Sequence, residues 1–169
     1  MKTWRFLLRA VPMKLSLLVH AGAAVCSASP PVVINEVYYD HPGSDRGFEF
    51  VELCCRDEAE IPLEGWSLAM IDGRTGEARE LWRALPGRII ESGTLILIGG
   101  DSLWVSPEDL LSGSIENGPD AVALLRGGER VDLVAIGGDG ISCPAGRSIS
   151  RRPDGSAGGD PGASLVCSL

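Results

Sequence analysis

Three glutamates stand inside or beside apolar runs near the start of the chain, Glu36 in VVINEVYY and Glu49 and Glu52 in FEFVELCC. A carboxylate among apolar neighbours needs a partner, because burying an isolated charge is costly. Two such carboxylates could also cleave a glycoside as an acid and base pair. The interpretation we prefer is structural, with Glu36 and Glu52 accepting hydrogen bonds from backbone amides or arginine side chains. Arg151 and Arg152 are the candidate donors.

The loop DHPGSDRG, residues 40–47, holds other groups that could do chemistry. Asp40 and Asp45, with Glu49 just after the loop, supply oxygen atoms of the kind that bind Ca²⁺. Their spacing matches no defined calcium-binding loop, so a hydrophilic hairpin loop is the preferred interpretation. A catalytic triad would depend on His41, because the other histidine belongs to the N-terminal segment. We expect His41 to be solvated, and we assign no catalytic residue, metal ion or cofactor.

Short strands must position these groups, because the chain is rich in turn-forming residues. It contains 22 Gly and 11 Pro, and short apolar runs alternate with turn residues along most of its length. This pattern predicts an all-β fold, specifically a β-sandwich. In EGWSLAMI, the alternation of Trp66, Leu68 and Met70 predicts that these side chains share one face and that Trp66 is buried in the core.

Strand alternation also assigns faces to the first two predicted strands. On the first strand, Ile34, Glu36 and Tyr38 are expected to share a face. On the second strand, alternate residues divide into Phe48, Phe50, Glu52 and Cys54 on one face and Glu49, Val51, Leu53 and Cys55 on the other.

One segment within the domain departs from the strand pattern. In SPEDLL, Ser106 is a suitable N-cap and Pro107 suits the first helical position, so we predict one short helical turn.

The last predicted strand is GRSISRR, residues 146–152. The Gly, Ser and Pro residues that follow it predict a poorly ordered tail.

Residues 1–28 have the features of a secretory signal peptide. Basic residues come first, an apolar stretch occupies residues 15–25, and small residues follow it, so we expect cleavage near Ala28. Met13 is an alternative start, because the segment after it is a complete signal by itself. The apolar stretch is too short to span a bilayer, and no membrane span is expected. Lipid attachment at Cys26 is the second choice, because a bulky valine precedes it.

Removing this segment makes the chain strongly acidic. Four of the 15 basic residues and none of the 23 acidic residues lie in residues 1–28, so the remainder has a formal charge of −12. Affinity for a nucleic-acid backbone depends largely on clustered Lys and Arg. Nucleic acid is therefore not the expected partner.

Four cysteines remain after residue 28, and they allow three pairings. Cys54 and Cys55 are neighbours on a predicted strand and point to opposite faces, which disfavours a bond between them. In an oxidising compartment we favour a disulfide between Cys143 and Cys167, which would tie down the tail. The competing pattern joins Cys55 to Cys143 and leaves Cys167 free. No CxxC spacing supports a zinc site.

Seven short motifs, taken in order, resemble the lamin tail domain family, in particular its bacterial members. The motifs are INEV, EFVEL, LEGWSL, ENGPDAVALL, RVDLVAIG, GRSISRRPDG and DPGA, which together extend from residue 34 to residue 163. The resemblance implies an immunoglobulin-like β-sandwich, an exported protein and no catalytic motif. Two departures stand out: Cys55 replaces an Asn that is frequent in the family, and the segment before the final Pro-Gly is short.

Together these features predict a signal peptide at residues 1–28 and one lamin-tail-like, all-β domain at residues 29–165 with a short C-terminal tail. The expected function is a non-enzymatic binding or structural module, secreted, periplasmic or at the cell surface. Its partner would be a protein or a polymer of the envelope or extracellular space. The alternatives are a nucleic-acid-binding accessory of a secreted nuclease system and a carboxylate-based hydrolase that uses Glu36 and Glu52.

Overall fold

A computed structural model describes residues 29–156 and 164–168 of the chain. The predicted signal peptide, the alternative start and Cys26 lie outside the described residues. Within those two ranges every regular element is a β-strand, and no helix is long and apolar enough to cross a membrane.

Twelve strands make up the described part of the chain. They are β1 (Val32–Tyr38), β2 (Phe50–Cys55), β3 (Ile61–Pro62), β4 (Trp66–Asp72), β5 (Ala78–Arg83), β6 (Ile89–Ile90), β7 (Leu95–Gly99), β8 (Asp109–Leu110), β9 (Asp120–Arg126), β10 (Glu129–Ile136), β11 (Ser148–Arg152) and β12 (Ser164–Ser168). Turn residues separate them, as the Gly and Pro content predicted.

Two main sheets pack face to face and form a sandwich. The six-stranded sheet has the order β12-β11-β1-β2-β7-β8, and the four-stranded sheet has the order β10-β9-β4-β5. Neighbouring strands are antiparallel except for β7 and β8, which are parallel. A short pair, β3 and β6, stands apart from the two sheets. The all-β, immunoglobulin-like sandwich predicted from the sequence is confirmed.

The core lies between the two sheets and is apolar. Ile34, Leu53 and Ile98 from the six-stranded sheet belong to the same buried cluster as Leu68 and Leu124 from the four-stranded sheet. On β4 the predicted alternation holds, because the cluster also includes Trp66 and Met70. Trp66 is fully buried. Fully burying an aliphatic side chain contributes about 1.5–3 kcal/mol, so this cluster is the main source of stability.

The face predicted for β1 holds for Glu36 and Tyr38 but is wrong for Ile34, because the strand contains a bulge. Ile34 pairs with Leu53 and Glu36 pairs with Glu52, which leaves Asn35 as the extra residue. The bulge shifts the alternation by one residue, so Ile34 and Val37 face the core while Glu36 faces outward. The faces predicted for β2 hold, with Leu53 in the core and Glu52 on the outer side.

The helical turn predicted for SPEDLL is also wrong. The segment is extended, and it ends in β8, which pairs with β7. Glu108 fixes it there: its amide donates to the Leu97 carbonyl at 2.9 Å, and its Oε2 accepts the Leu97 amide at 2.7 Å. These hydrogen bonds to β7 outweigh the local capping signals of Ser106 and Pro107.

The C-terminal tail is more regular than its composition predicts. Residues 164–168 form the edge strand β12, which pairs with β11 along its whole length. The sheet therefore extends past residue 165, the predicted end of the domain. A disulfide joins Cys143 to Cys167, with an S–S distance of 2.10 Å, and Cys54 and Cys55 are buried thiols. This is the pairing favoured from the sequence, and it holds β12 in place.

Candidate functional site

A cleft of about 280 Å³ lies on the outer face of the six-stranded sheet. Its floor comes from β11, β1, β2 and β7, and its walls come from the loops around residues 41–48 and 103–105. The lining residues are Glu36, Tyr38, His41, Phe48, Phe50, Glu52, Leu97, Leu103, Trp104, Val105, Gly146 and Ser148. We call this surface the outer cleft.

Two carboxylates form the centre of the floor. Glu36 and Glu52 are direct partners across β1 and β2, so they project from adjacent positions on the same face of the sheet. The Ser148 hydroxyl donates to Oε1 of Glu36. Nδ2 of Asn35 donates to Oε1 of Glu52 at 2.7 Å. In the described part of the chain, the second oxygen of each glutamate accepts no hydrogen bond from protein.

The electrostatic environment of the floor is negative. Burial raises the pKa of Glu52, and the charges of Glu36, Asp154 and Glu108 add to the rise, while the hydrogen bond from Asn35 opposes it. The lining contains no Lys or Arg side chain. The floor is therefore a place where a positive charge would be stabilised.

Aromatic rings form one wall of the cleft. Tyr38 stacks on Phe50 with their centroids 5.4 Å apart, and His41 stacks on Phe48 at 4.2 Å. The Tyr38 hydroxyl is 2.9 Å from Nδ1 of His41, which links the two stacks. Burial raises the pKa of Tyr38, and the negative charges of Asp40 and Asp45 add to this effect. His41 is half-buried and contacts two aromatic rings, whereas its position in a loop predicted a solvated side chain.

Another part of the rim is apolar and exposed. Trp104 is 88% exposed and Val105 is 54% exposed, and Leu103 completes this side. An indole ring in water, beside a cleft, is unusual for a residue that normally packs inside proteins or in interfaces. The rim gives the cleft an apolar surface large enough to contact a ligand.

Arg151 lies elsewhere, so the predicted pairing with Glu36 or Glu52 is wrong. It is 4% exposed, and its Nη2 donates to both carboxylate oxygens of Asp132 at 2.7 Å. Its Nε donates to the Ile34 carbonyl at 2.6 Å. Oδ2 of Asp132 in turn accepts the Ile34 amide at 2.8 Å. Arg152 is exposed, and it donates to Ser168.

This arrangement, which we call the buried network, has a simple physical cause. The paired residues of β1 and β11 extend only to Glu36 and Ser150, so the peptide groups of Ile34 lack strand partners on that side. Arg151 and Asp132 satisfy them, as buried polar groups require. Asp132 belongs to β10, so the network also connects the two sheets.

Three residues that build these two sites were not predicted from the sequence. Asn35 is buried at the bulge, where its Oδ1 accepts the Gly155 amide at 2.8 Å and its Nδ2 reaches Glu52. Asp132 sits inside the apolar run RVDLVAI, and Ser148 begins β11. A polar residue within an apolar strand was the available signal for Asp132, just as it was for Glu36.

The structure gives two of the three calcium candidates backbone partners. Oδ1 of Asp45 accepts the amide of His41 at 2.8 Å, which is a loop-stabilising hydrogen bond. Glu49 is 3% exposed and accepts the Ile115 amide at 2.8 Å. In the described ranges, no three His, Cys, Asp or Glu residues are grouped closely enough to hold a metal ion, Asp40 included.

Burial raises the pKa of Glu49 to about 7, and its hydrogen bond with Ile115 and the nearby Ser114 hydroxyl oppose part of that rise. The charge of Asp45 contributes to the increase. Glu49 is thus a buried acid with one firm backbone partner. It is more important for stability than for ligand binding.

Comparisons with known proteins complete these observations. A family model described as Lamin Tail Domain matches residues 26–138. The match includes β1 to β10 and ends before β11 and β12, which belong to the same six-stranded sheet as β1. No curated protein matches the chain.

Proposed function

Because the chain belongs to the Lamin Tail Domain family, a family of non-catalytic immunoglobulin-like domains, we propose that it is a non-enzymatic binding module. The family assignment confirms the resemblance seen in the order of the sequence motifs. A shared fold does not define a ligand, so the binding site has to be argued from its own residues.

The outer cleft is the observation that carries this proposal. It combines an exposed Trp104, stacked aromatic rings and two carboxylates that each have an oxygen without a hydrogen bond from the described residues. Binding sites characteristically combine apolar and aromatic surface with a few placed polar groups. We propose that the ligand is a protein or a polymer of the envelope or extracellular space, and that its contact surface is the outer cleft.

Export is the second part of the proposal. The charge pattern of residues 1–28 and the disulfide between Cys143 and Cys167 support it, because disulfides persist mainly outside the cytoplasm. The protein would be secreted, periplasmic or at the cell surface, with lipid attachment at Cys26 as the second choice. Mass spectrometry of the N-terminus of the exported protein should find a start near residue 29.

Binding can be tested with isolated envelope material and secreted polymers. Trp104→Ala removes the exposed rim of the outer cleft and should weaken binding about tenfold or more, as expected for an aromatic anchor. Leu85→Ala is the matched control, because Leu85 is 66% exposed and lies in the turn after β5. Equal binding by wild type and Trp104→Ala, or no binding by wild type, would contradict the proposal.

A carboxylate-based hydrolase is the second candidate, favoured by the opposed Glu36 and Glu52 in the outer cleft. The raised pKa of Glu52 resembles that of a general acid in glycoside cleavage. An assay on a panel of glycosides decides between the candidates. Turnover that disappears in Glu52→Gln while the fold is retained would favour the hydrolase.

A nucleic-acid-binding role gains no support from the outer cleft. Its charged side chains are carboxylates, which repel phosphate groups, and its lining has no Lys or Arg. Titration with duplex DNA at low salt should therefore show no binding. Clear, salt-sensitive binding would favour the nuclease-accessory alternative.

A further inference from the structure

We infer that the outer cleft binds a cationic side chain, lysine or arginine, presented by a segment of another exported protein. This inference rests on the proposed function and names the class of ligand. Three features of the cleft support it: its charge, its apolar surface and its size.

The charge of the floor calls for a cation. Glu36 and Glu52 face each other across two strands, and like charges in directly opposed positions destabilise a sheet. Oε1 of each accepts a hydrogen bond, from Ser148 and from Asn35, while neither Oε2 accepts one from the described residues, so both can accept from a ligand. An ammonium or guanidinium group could donate to both oxygens and relieve their repulsion.

The cleft also matches the rest of a long basic side chain. Lysine and arginine carry an apolar stem that prefers to pack on apolar surface while the charged head reaches a polar partner. Tyr38 and Phe50 are register partners next to Glu36 and Glu52, so their stacked rings adjoin the carboxylates. Trp104 is exposed on the rim of the cleft, where a cation or its stem can contact the indole face.

Size separates this ligand from a polymer. A cleft of about 280 Å³ is at the lower end of the range for small-molecule sites. It suits one long side chain and the adjacent backbone better than a row of sugar rings. Under the proposed export a lysine occupant comes from another protein, because Lys2 and Lys14, the lysines of this sequence, both lie in the segment that we propose is cleaved.

The experiment is a titration of ¹⁵N-labelled protein, produced from the full chain, with the blocked peptide acetyl-Gly-Arg-Gly-Lys-Gly-amide. The matched peptide replaces Arg by citrulline and Lys by norleucine, which removes both charges and keeps the length. The basic peptide should shift the amide signals of residues that line the outer cleft. The neutral peptide should bind at least about tenfold more weakly, and added salt should weaken the basic peptide further.

Variants locate the charge dependence. Glu36→Gln and Glu52→Gln should each weaken the basic peptide about fivefold, and Trp104→Ala should also weaken it. Glu129→Gln is the matched control, because Glu129 is exposed on β10 in the other sheet, and it should bind as wild type does. A well-dispersed amide spectrum for each variant establishes that it is folded.

Three results would overturn the inference. The first is equal affinity for the basic and neutral peptides, and the second is equal loss of affinity in Glu52→Gln and Glu129→Gln. The third is a neutral oligosaccharide, such as chitotetraose, that shifts the cleft signals when the basic peptide does not; that result would leave the outer cleft as a binding site. The proposed function would also be contradicted if no ligand bound the outer cleft and if Trp104→Ala and Leu85→Ala both bound envelope material as well as wild type does.

Discussion

Strand β1 contacts two polar environments, one on each side of the bulge residue Asn35. On one side of Asn35, the peptide groups of Ile34 are enclosed by Arg151 and Asp132 in the buried network. On the other side, Glu36 faces the outer cleft and uses one of its oxygens within the described structure. The first environment is closed and the second is open.

This difference separates structural charges from available ones. In the buried network, removing one partner leaves another charge or peptide group buried and unsatisfied, so each residue depends on the rest. In the outer cleft, solvent or a ligand can replace any missing partner. Burial alone would have grouped Asp132 with Glu36 and Glu52, because all three are half-buried, whereas their hydrogen-bond partners divide them.

Arg151→Met disrupts the buried network and should have the largest effect on stability. The change keeps an unbranched apolar stem but removes the guanidinium group, so Asp132 and the Ile34 carbonyl lose the hydrogen bonds that Arg151 donates. We expect the free energy of unfolding to fall by about 3–5 kcal/mol, measured by urea denaturation. Arg130→Met is the matched control, because Arg130 is exposed on β10, and it should change stability by less than about 0.5 kcal/mol. Similar losses in both variants would mean that the network is not a stabilising unit.

The disulfide supports the same side of the sheet, because it holds β12 against β11, the strand that carries Arg151. Cys167→Ser should lower the free energy of unfolding by about 3 kcal/mol, since the bond spans 24 residues. Cys54→Ser is the control for replacing a cysteine that is a thiol in the fold. Peptide mapping without reductant should recover a peptide that joins Cys143 to Cys167. Free thiols at all four cysteines of the exported protein would contradict this prediction.

Sequence predicted those parts of the fold that depend on local alternation. Trp66, Leu68 and Met70 occupy one face of β4 without interruption, and all three are buried as expected. The alternation of β1 failed at Asn35, because the bulge is held by Glu52 and by Gly155, which is 120 residues away. No local pattern contains such a contact.

The candidate site was predicted even less completely, for the same reason. Glu36 and Glu52 stood out because they are charged residues within apolar runs. Arg151 was predicted to donate to these glutamates in a structural role. Its side-chain acceptor is instead Asp132, in a strand of the other sheet. The outer cleft further requires Trp104 and Ser148, which reach it from separate parts of the chain. Only the folded sheet brings these residues together.

Glu49 is a third test of the distinction between structural and available charges, because it is buried and its pKa is raised to about 7. Its pKa in the fold is about 7, above its ordinary value of 4.5, so the folded protein holds this proton more tightly than the unfolded chain. Stability should therefore be greatest below about pH 4.5 as far as this group is concerned, and decline as the pH rises through 7. The expected decline is on the order of 2 kcal/mol.

The measurement is urea denaturation at several pH values between 5 and 8, for wild type and Glu49→Gln. Glutamine keeps an oxygen for the Ile115 amide and cannot ionise, so most of the decline should disappear. Glu64→Gln, at an exposed position, should keep it. Parallel curves for wild type and Glu49→Gln would show that Glu49 does not titrate in this range.

We expect the smallest change in the free energy of unfolding from Glu52→Gln, in the outer cleft. Burial and the charge of Glu36 raise the pKa of Glu52, so its ionised form is disfavoured by the fold, and a neutral amide removes that penalty. Glutamine can still accept the hydrogen bond from Asn35, and the free energy of unfolding at pH 7 should change by less than about 1 kcal/mol. Asn35→Ala alters the same hydrogen bond from its other end but also leaves the buried Gly155 amide without an acceptor, and should cost about 1–3 kcal/mol. If Glu52→Gln lost as much stability as Arg151→Met, Glu52 would belong with the closed environment, and the division between structural and available charges would fail.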